Sequence, residues 1–252
     1  MRVSSSPLNS AGPDPASAPV LSFFCAVALR KAAEEAIIPA FTKATGTDVD
    51  VAFEPTSLLL ERMEAGARPG IFVGTTGSLE TSASSAAFDL SSCRPIAKSG
   101  IGVAVPPNVG GPDIGSVDGL IRALTTARSV AYSQNGPSGV YFARLLRELG
   151  IAEPVNSRST IITQGPTAHA LIDGRSDLAI QQMSELMLVP EAKIIGPLPK
   201  AVQHYTQFSA ALSRTAKKDL RATVLIDSFT GPLAESAYTS GGLEPSFSLA
   251  AG

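Results

Sequence analysis

Short apolar runs alternate with stretches of helical periodicity along nearly the whole chain, and this limits the fold more than any other feature. Residues 20–25 (VLSFFC) read as a strand, and 29–45 as a helix with Leu29, Ala33, Ala36, Ile37 and Phe41 near one face. Gly46 is the stop signal. The alternating DVDVAF at 48–53 is a second strand, 58–65 a helix that Thr56 or Ser57 would cap, and GIFVG at 70–74 a short buried strand. Strands separated by helices of this length predict a mixed, mostly parallel sheet with right-handed crossovers.

The pattern is less regular over 75–97 and resumes with IGVAV at 101–105. A cap at Ser116 then opens a helix, and a strand follows at 129–133. The helix at 138–149 puts Phe142, Leu145, Leu146 and Leu149 on one face. Strands are expected at 159–163, 177–181, 194–197 and 208–212, and helices at 167–173, 216–229 and 232–238. With 252 residues, 44% hydrophobic and 17% charged, the chain can bury a sizeable core as one large domain or two lobes.

Composition also excludes functions. A formal net charge of −2 gives no basic face for nucleic acid. The sequence has no apolar stretch of about 18 residues, so no membrane insertion is expected. Two His and two Cys without a CxxC or a Cys/His cluster give no metal site, and nothing implies a cofactor. Cys25 reads as a small buried hydrophobe, and a pair with Cys93 has no support. Residues 1–19, rich in Ser, Pro, Ala and Gly, read as a disordered tail without the apolar core of a secretory signal.

Five stretches carry a likeness: VLSFFCAVALRKAAEEAIIPAFTKATG, VAFEPTSLLLERMEAGARPGIFVG, KSGIGVAV, NGPSGVYFARLLRELG and DLAIQQMSEL. In order and spacing the chain resembles the type II periplasmic-binding-protein fold, and within it the molybdate-binding branch. SGIGVAV, GPSGVYFARLLRELGI and AIQQMSEL are more similar in wording to a side branch that includes aconitate isomerase. The resemblance implies an α/β protein of two lobes, each a mixed, mostly parallel sheet flanked by helices. Lobe one would comprise 20–98 and 206–252, and lobe two 99–205, with crossings near Lys98–Gly100 and Gln203–Phe208. It also implies a small anionic ligand between the lobes, a membrane transporter as a partner and a monomer. The compartment would be periplasmic if the family role holds, and cytoplasmic if a signal peptide is truly lacking.

The residues fit an anion site on physical grounds too. Helix N-termini carry unsatisfied N–H groups and partial positive charge. The sequence offers such starts after strands at Val27–Leu29, Thr56–Leu58, Ser138–Val140 and Gly165–Thr167. By resemblance, the ligand would meet Val27, Ala28, Thr56, Ser57, Ser138, Gly139 and Gln182. Ala28 stands where molybdate binders carry a serine, Gln182 where they carry a tyrosine, and Arg68-Pro69-Gly70 replaces their Pro-Ala-Asp. An amide with donor and acceptor suits a carboxylic acid. Lys98 and Ser99, near the crossing, could add a cation and a hydroxyl. A di- or tricarboxylate is thus preferred over molybdate.

Blander readings stand beside these. Thr56 and Ser57 can be simple caps, Ser138-Gly139 a turn, and Lys98 a solvated lysine. Gln181 and Gln182 should not both face one cleft if they lie within a strand. Two functions follow: a solute-binding protein, and a cofactor-free isomerase of the aconitate type acting by proton transfer. Glu54, Glu185 and His169 are candidate bases, with His204 and Tyr205 weaker. An effector domain of a DNA-binding regulator is disfavoured because no helix-turn-helix pattern precedes residue 20.

Overall fold

The computed structural model describes residues 20–80 and 86–247. The tail expected over 1–19 lies outside the described residues. The strands are β1 (Leu21–Ala26), β2 (Val49–Glu54), β3 (Ile71–Thr75), β4 (Phe88–Val105), β5 (Val130–Ser133), β6 (Thr160–Ile162), β7 (Leu178–Gln182), β8 (Lys193–Pro197), β9 (Tyr205–Ser213) and β10 (Glu244–Pro245). They run in the order β2-β1-β3-β9-β4-β7-β5-β6, with β8 and β10 also paired to β4. The pairs β1/β2, β1/β3, β5/β6 and β5/β7 are parallel. The pairs made by β4 and β9 are antiparallel.

β4 organises this arrangement. At roughly 3.3 Å per residue, 18 residues would span about 60 Å, too long for one small sheet. Its first part pairs with β9 as far as Gly100 opposite Tyr205, and from Ile101 opposite Gln182 it pairs with β7. One strand therefore serves two sheets. Its early half was not legible as a strand because DLSSCRP is polar and holds Pro95. The structure absorbs this with register shifts between Asp89 and Arg94 and between Pro95 and Ala97, since proline is tolerated at bulges.

The two largest of four hydrophobic clusters among the described residues lie one on each sheet. One packs Phe23, Leu29, Ile37 and Phe208 against Leu225, Phe229 and Tyr238. The other packs Ile101, Val103 and Ile180 against Leu120, Leu124, Phe142 and Leu146. The 137–148 helix buries the apolar face expected of it. Ser116 caps its helix as expected, its Oγ accepting from Gly119 N–H at 3.0 Å. Gly46 ends the first helix in the left-handed region at φ 67°, which glycine adopts without strain. That helix starts as a 3₁₀ turn at Val27–Leu29 and widens to a π turn at Ala33–Ile37 before Pro39, a proline being unable to supply the helical N–H. The late helix is shorter than expected, Leu220–Asp227, capped by Asp219. Cys25 and Cys93 are both free thiols. Among the described residues no helix is long and apolar enough to cross a membrane.

Candidate functional site

Two sets of three parallel strands, β2-β1-β3 and β7-β5-β6, end at one cavity of about 1030 Å³. Its wall includes Ala26, Phe53 and Thr75 from the ends of β1, β2 and β3. Opposite them lie Ser133 from β5, Thr163 just past β6, and Gln181 and Gln182 from β7. The carboxyl ends of strands in open α/β sheets leave this kind of crevice, because the chain turns away there into helices.

The helices that leave these strand ends are bare at their starts. Val27–Leu29 follows Ala26, Thr56–Glu64 follows Pro55 and Pro137–Glu148 follows Gly136, none with a side-chain cap. The expected caps at Thr56 and Ser57 are not formed. Pro55 takes the N-cap position, and the Thr56 hydroxyl accepts from Thr75 N–H at 3.2 Å, tying the second helix to the end of β3. Val27, Ala28, Thr56 and Ser57 all line the cavity.

Other expected residues lie elsewhere. Lys98 Nζ pairs with Glu244 at 2.9 Å and sits 4.4 Å from the Tyr205 ring centroid, away from the cavity wall. Ser99 is buried, its hydroxyl 3.2 Å from that of Ser184. Ser138 and Gly139 are buried and not on the wall, which Gly136 and Pro137 form at this helix start. Gly139 serves packing: a Cβ there would fall 1.8 Å from the Ser133 carbonyl oxygen. Ser138 is 1% exposed and its Oγ has no hydrogen-bond partner.

Gln181 and Gln182 both reach the cavity, against the alternation expected of a strand. β7 ends there, and Gln182 is already the turn residue before the Met183–Leu186 helix. The Gln181 Oε1 accepts from Thr167 N–H at 2.7 Å and from its hydroxyl at 3.0 Å. Gln182 is 2% exposed and its Oε1 is buried with no partner.

Among the candidate bases, Glu185 and His169 are on the wall and Glu54 is not. Glu54 pairs with Arg62 at 3.0 Å. Glu185 is 8% exposed, and burial pushes its carboxyl pKa up to about 7, against the opposing influence of the Gln181 amide. His204 stacks on Tyr141 at 4.5 Å, and burial, then the Arg144 charge, lowers its pKa. It is not on the wall.

Arg30 was missed by sequence reasoning. It is the one Lys or Arg among the described residues on the wall, held by Glu34 at 2.8 Å and placed 5.7 Å from the Phe53 ring centroid. The available signal was its position in the first turns after the β1 end. Glu61, Gln134, Asn135 and Gln164 complete the polar lining.

A cleft where two α/β units turn their strand ends and bare helix starts toward each other defines a protein that encloses a small solute. The model of the bacterial extracellular solute-binding proteins matches residues 21–244, and the chain belongs to that family. It is 30% identical over 215 residues to an aconitate isomerase from a Pseudomonas species, covering 83% of this chain and 82% of that protein. The periplasmic molybdate-binding protein of Azotobacter vinelandii superposes with a TM-score of 0.70 at 18% identity, covering 88% of this chain and 98% of that one. A tungstate-binding protein from Desulfovibrio alaskensis superposes with 0.61 at 17% identity, covering 92% of this chain and 100% of that one. These likenesses fit the two-lobed type II architecture.

Proposed function

We propose that the cleft binds a small di- or tricarboxylate and that the two lobes close over it. The observation that carries this is the set of uncapped helix starts at Val27, Thr56 and Pro137, aligned with Arg30 around one cavity. Free N–H groups and a guanidinium are what an extended carboxylate needs on several sides. Gln182, also on the wall, carries a buried side-chain amide whose oxygen has no partner. Molybdate fits less well, because Ala28 offers a methyl group where a closed ring of donors would need a hydroxyl. Lobes of 20–98 plus 206–252 and 99–205 would hinge where β4 changes partner and where the chain returns into β9. A membrane transporter would receive the ligand. Thermal unfolding against molybdate, tungstate, sulfate, phosphate, citrate and cis- and trans-aconitate tests this. Stabilisation by carboxylates alone is expected, about 2.7 kcal/mol at 100 times Kd. Stabilisation by molybdate alone would overturn it.

Glu185 favours a second reading, an isomerase that moves a double bond along such an acid. Its pKa near 7 suits a group that takes and returns a proton, and the aconitate isomerase relative is in keeping with this. Bare helix starts would hold the charge that develops on the substrate carboxylate. Interconversion of cis- and trans-aconitate, lost in Glu185→Gln, supports it. Binding without turnover leaves the protein a carboxylate receptor.

A further inference from the structure

We propose that the cavity binds its ligand together with one proton, shared between Glu185 and a ligand carboxylate. This rests on the reading of the ligand as a carboxylate. One buried acceptor on this part of the wall has no donor. Gln182 Oε1 is a buried acceptor with nothing to accept from, and Gln181 Oε1 is already committed to Thr167. Glu185 has no cation partner among the described residues. A fully ionised acid brings acceptors only. Two carboxylates at close range in a buried site hold one proton between them rather than stay doubly charged.

The surrounding charges do not remove this need. Arg30, which meets a ligand carboxylate in this reading, comes from the first helix with its partner Glu34 and makes no ion pair with Glu185. Glu61 comes from the second helix and His169 from the short 169–172 helix, both on the wall. Lys98 of β4, the strand packed beside the Met183–Leu186 helix, is taken by Glu244. None of these sets the state of Glu185, which burial and Gln181 control. The proton therefore comes from solvent as the ligand enters.

The probe is tricarballylate, a saturated tricarboxylate that cannot be isomerised. Calorimetric titration at pH 8 in two buffers of different ionisation enthalpy, Tris and HEPES, reads the protons taken up. Uptake approaching one per ligand is expected in the wild type, and none in Glu185→Gln. The wild-type Kd should weaken about tenfold from pH 6 to pH 8. The Glu185→Gln Kd should stay flat, and His169→Asn should keep the wild-type dependence. Binding without proton uptake, a dependence that survives in Glu185→Gln, or one lost in His169→Asn overturns the proposal while leaving the carboxylate reading intact. No binding at any pH overturns both.

Discussion

The side-chain amide of Gln203 stands in for a strand at Ile101. Its Oε1 accepts from Ile101 N–H at 2.9 Å and its Nε2 donates to the Ile101 carbonyl at 3.0 Å. Ile101 is the residue at which β4 leaves β9 and takes up β7. One side chain thus pairs with the backbone where the ladder changes hands, the Ile101 carbonyl also accepting from Leu198 N–H at 2.9 Å. Gln203→Ala should cost about 1–2 kcal/mol in urea unfolding, for two lost hydrogen bonds at a half-buried site. A loss below about 0.5 kcal/mol would mean that water replaces the amide freely.

Gly139 has no room for a methyl group. With the Ser133 carbonyl 1.8 Å from an added Cβ, Gly139→Ala must push the helix start off β5. A loss of about 3 kcal/mol or more is expected, since backbone cannot yield as a flexible side chain can. Gly46→Ala is the control. It meets no atom within 4 Å and has only its positive φ against it, so about 1 kcal/mol is expected. Equal losses in thermal or urea unfolding would refute the steric account.

Thr56 is a tie between elements. Thr56→Val removes the acceptor for Thr75 N–H and should cost about 1 kcal/mol, while Thr56→Ser keeps it. Circular dichroism melts of the two variants would separate the hydroxyl from the methyl group. Similar losses in both would assign the role to packing.

Arg30 and Lys98 should part company in binding. Arg30→Ala should weaken carboxylate binding by about 10–100-fold, the loss of a charge-assisted contact of about 1.5–3 kcal/mol. Its folding stability should hardly change, because the Arg30–Glu34 pair is an exposed one-turn pair. Lys98→Ala should leave the affinity within about twofold, since Lys98 is not on the cavity wall where Arg30 lies. Calorimetric Kd values for both variants decide it, and the reverse ranking would move the cation of the site to Lys98.

Glu185 should make stability fall as pH rises. Its folded pKa of about 7 lies above the ordinary 4.5. Between those values the unfolded chain releases the proton and the folded chain keeps it, so the folded state loses ground until the pH passes about 7. Glu185→Gln does not titrate. From pH 5 to pH 8 it should gain on the order of 2 kcal/mol relative to the wild type. Parallel pH profiles of Tm for the two proteins would show that Glu185 is not held neutral by burial.

Much of this was readable in the sequence where the signal is local. Gly46 and Ser116 end and open helices by their own backbone and side-chain chemistry. Phe142, Leu145 and Leu146 mark a buried face by spacing alone. The start of β4 was not readable, because polar and proline residues form a strand there only with β9 alongside. Lys98 and Arg30 were misjudged for a related reason. Neither the Glu244 that claims Lys98 nor the Phe53 beneath Arg30 is near it in sequence.

By itself the sequence determined most of the order of strands and helices and the helix starts after strand ends. These depend on periodicity, caps and composition, which act within a few residues. Only the tertiary structure decided which strand ends meet. It brought Gln181 and Gln182 to one cavity where the strand turns, and buried Glu185 enough to shift its proton. Burial and pairing arise from residues far apart in the chain, and those are fixed only when the two sheets close on the shared strand β4.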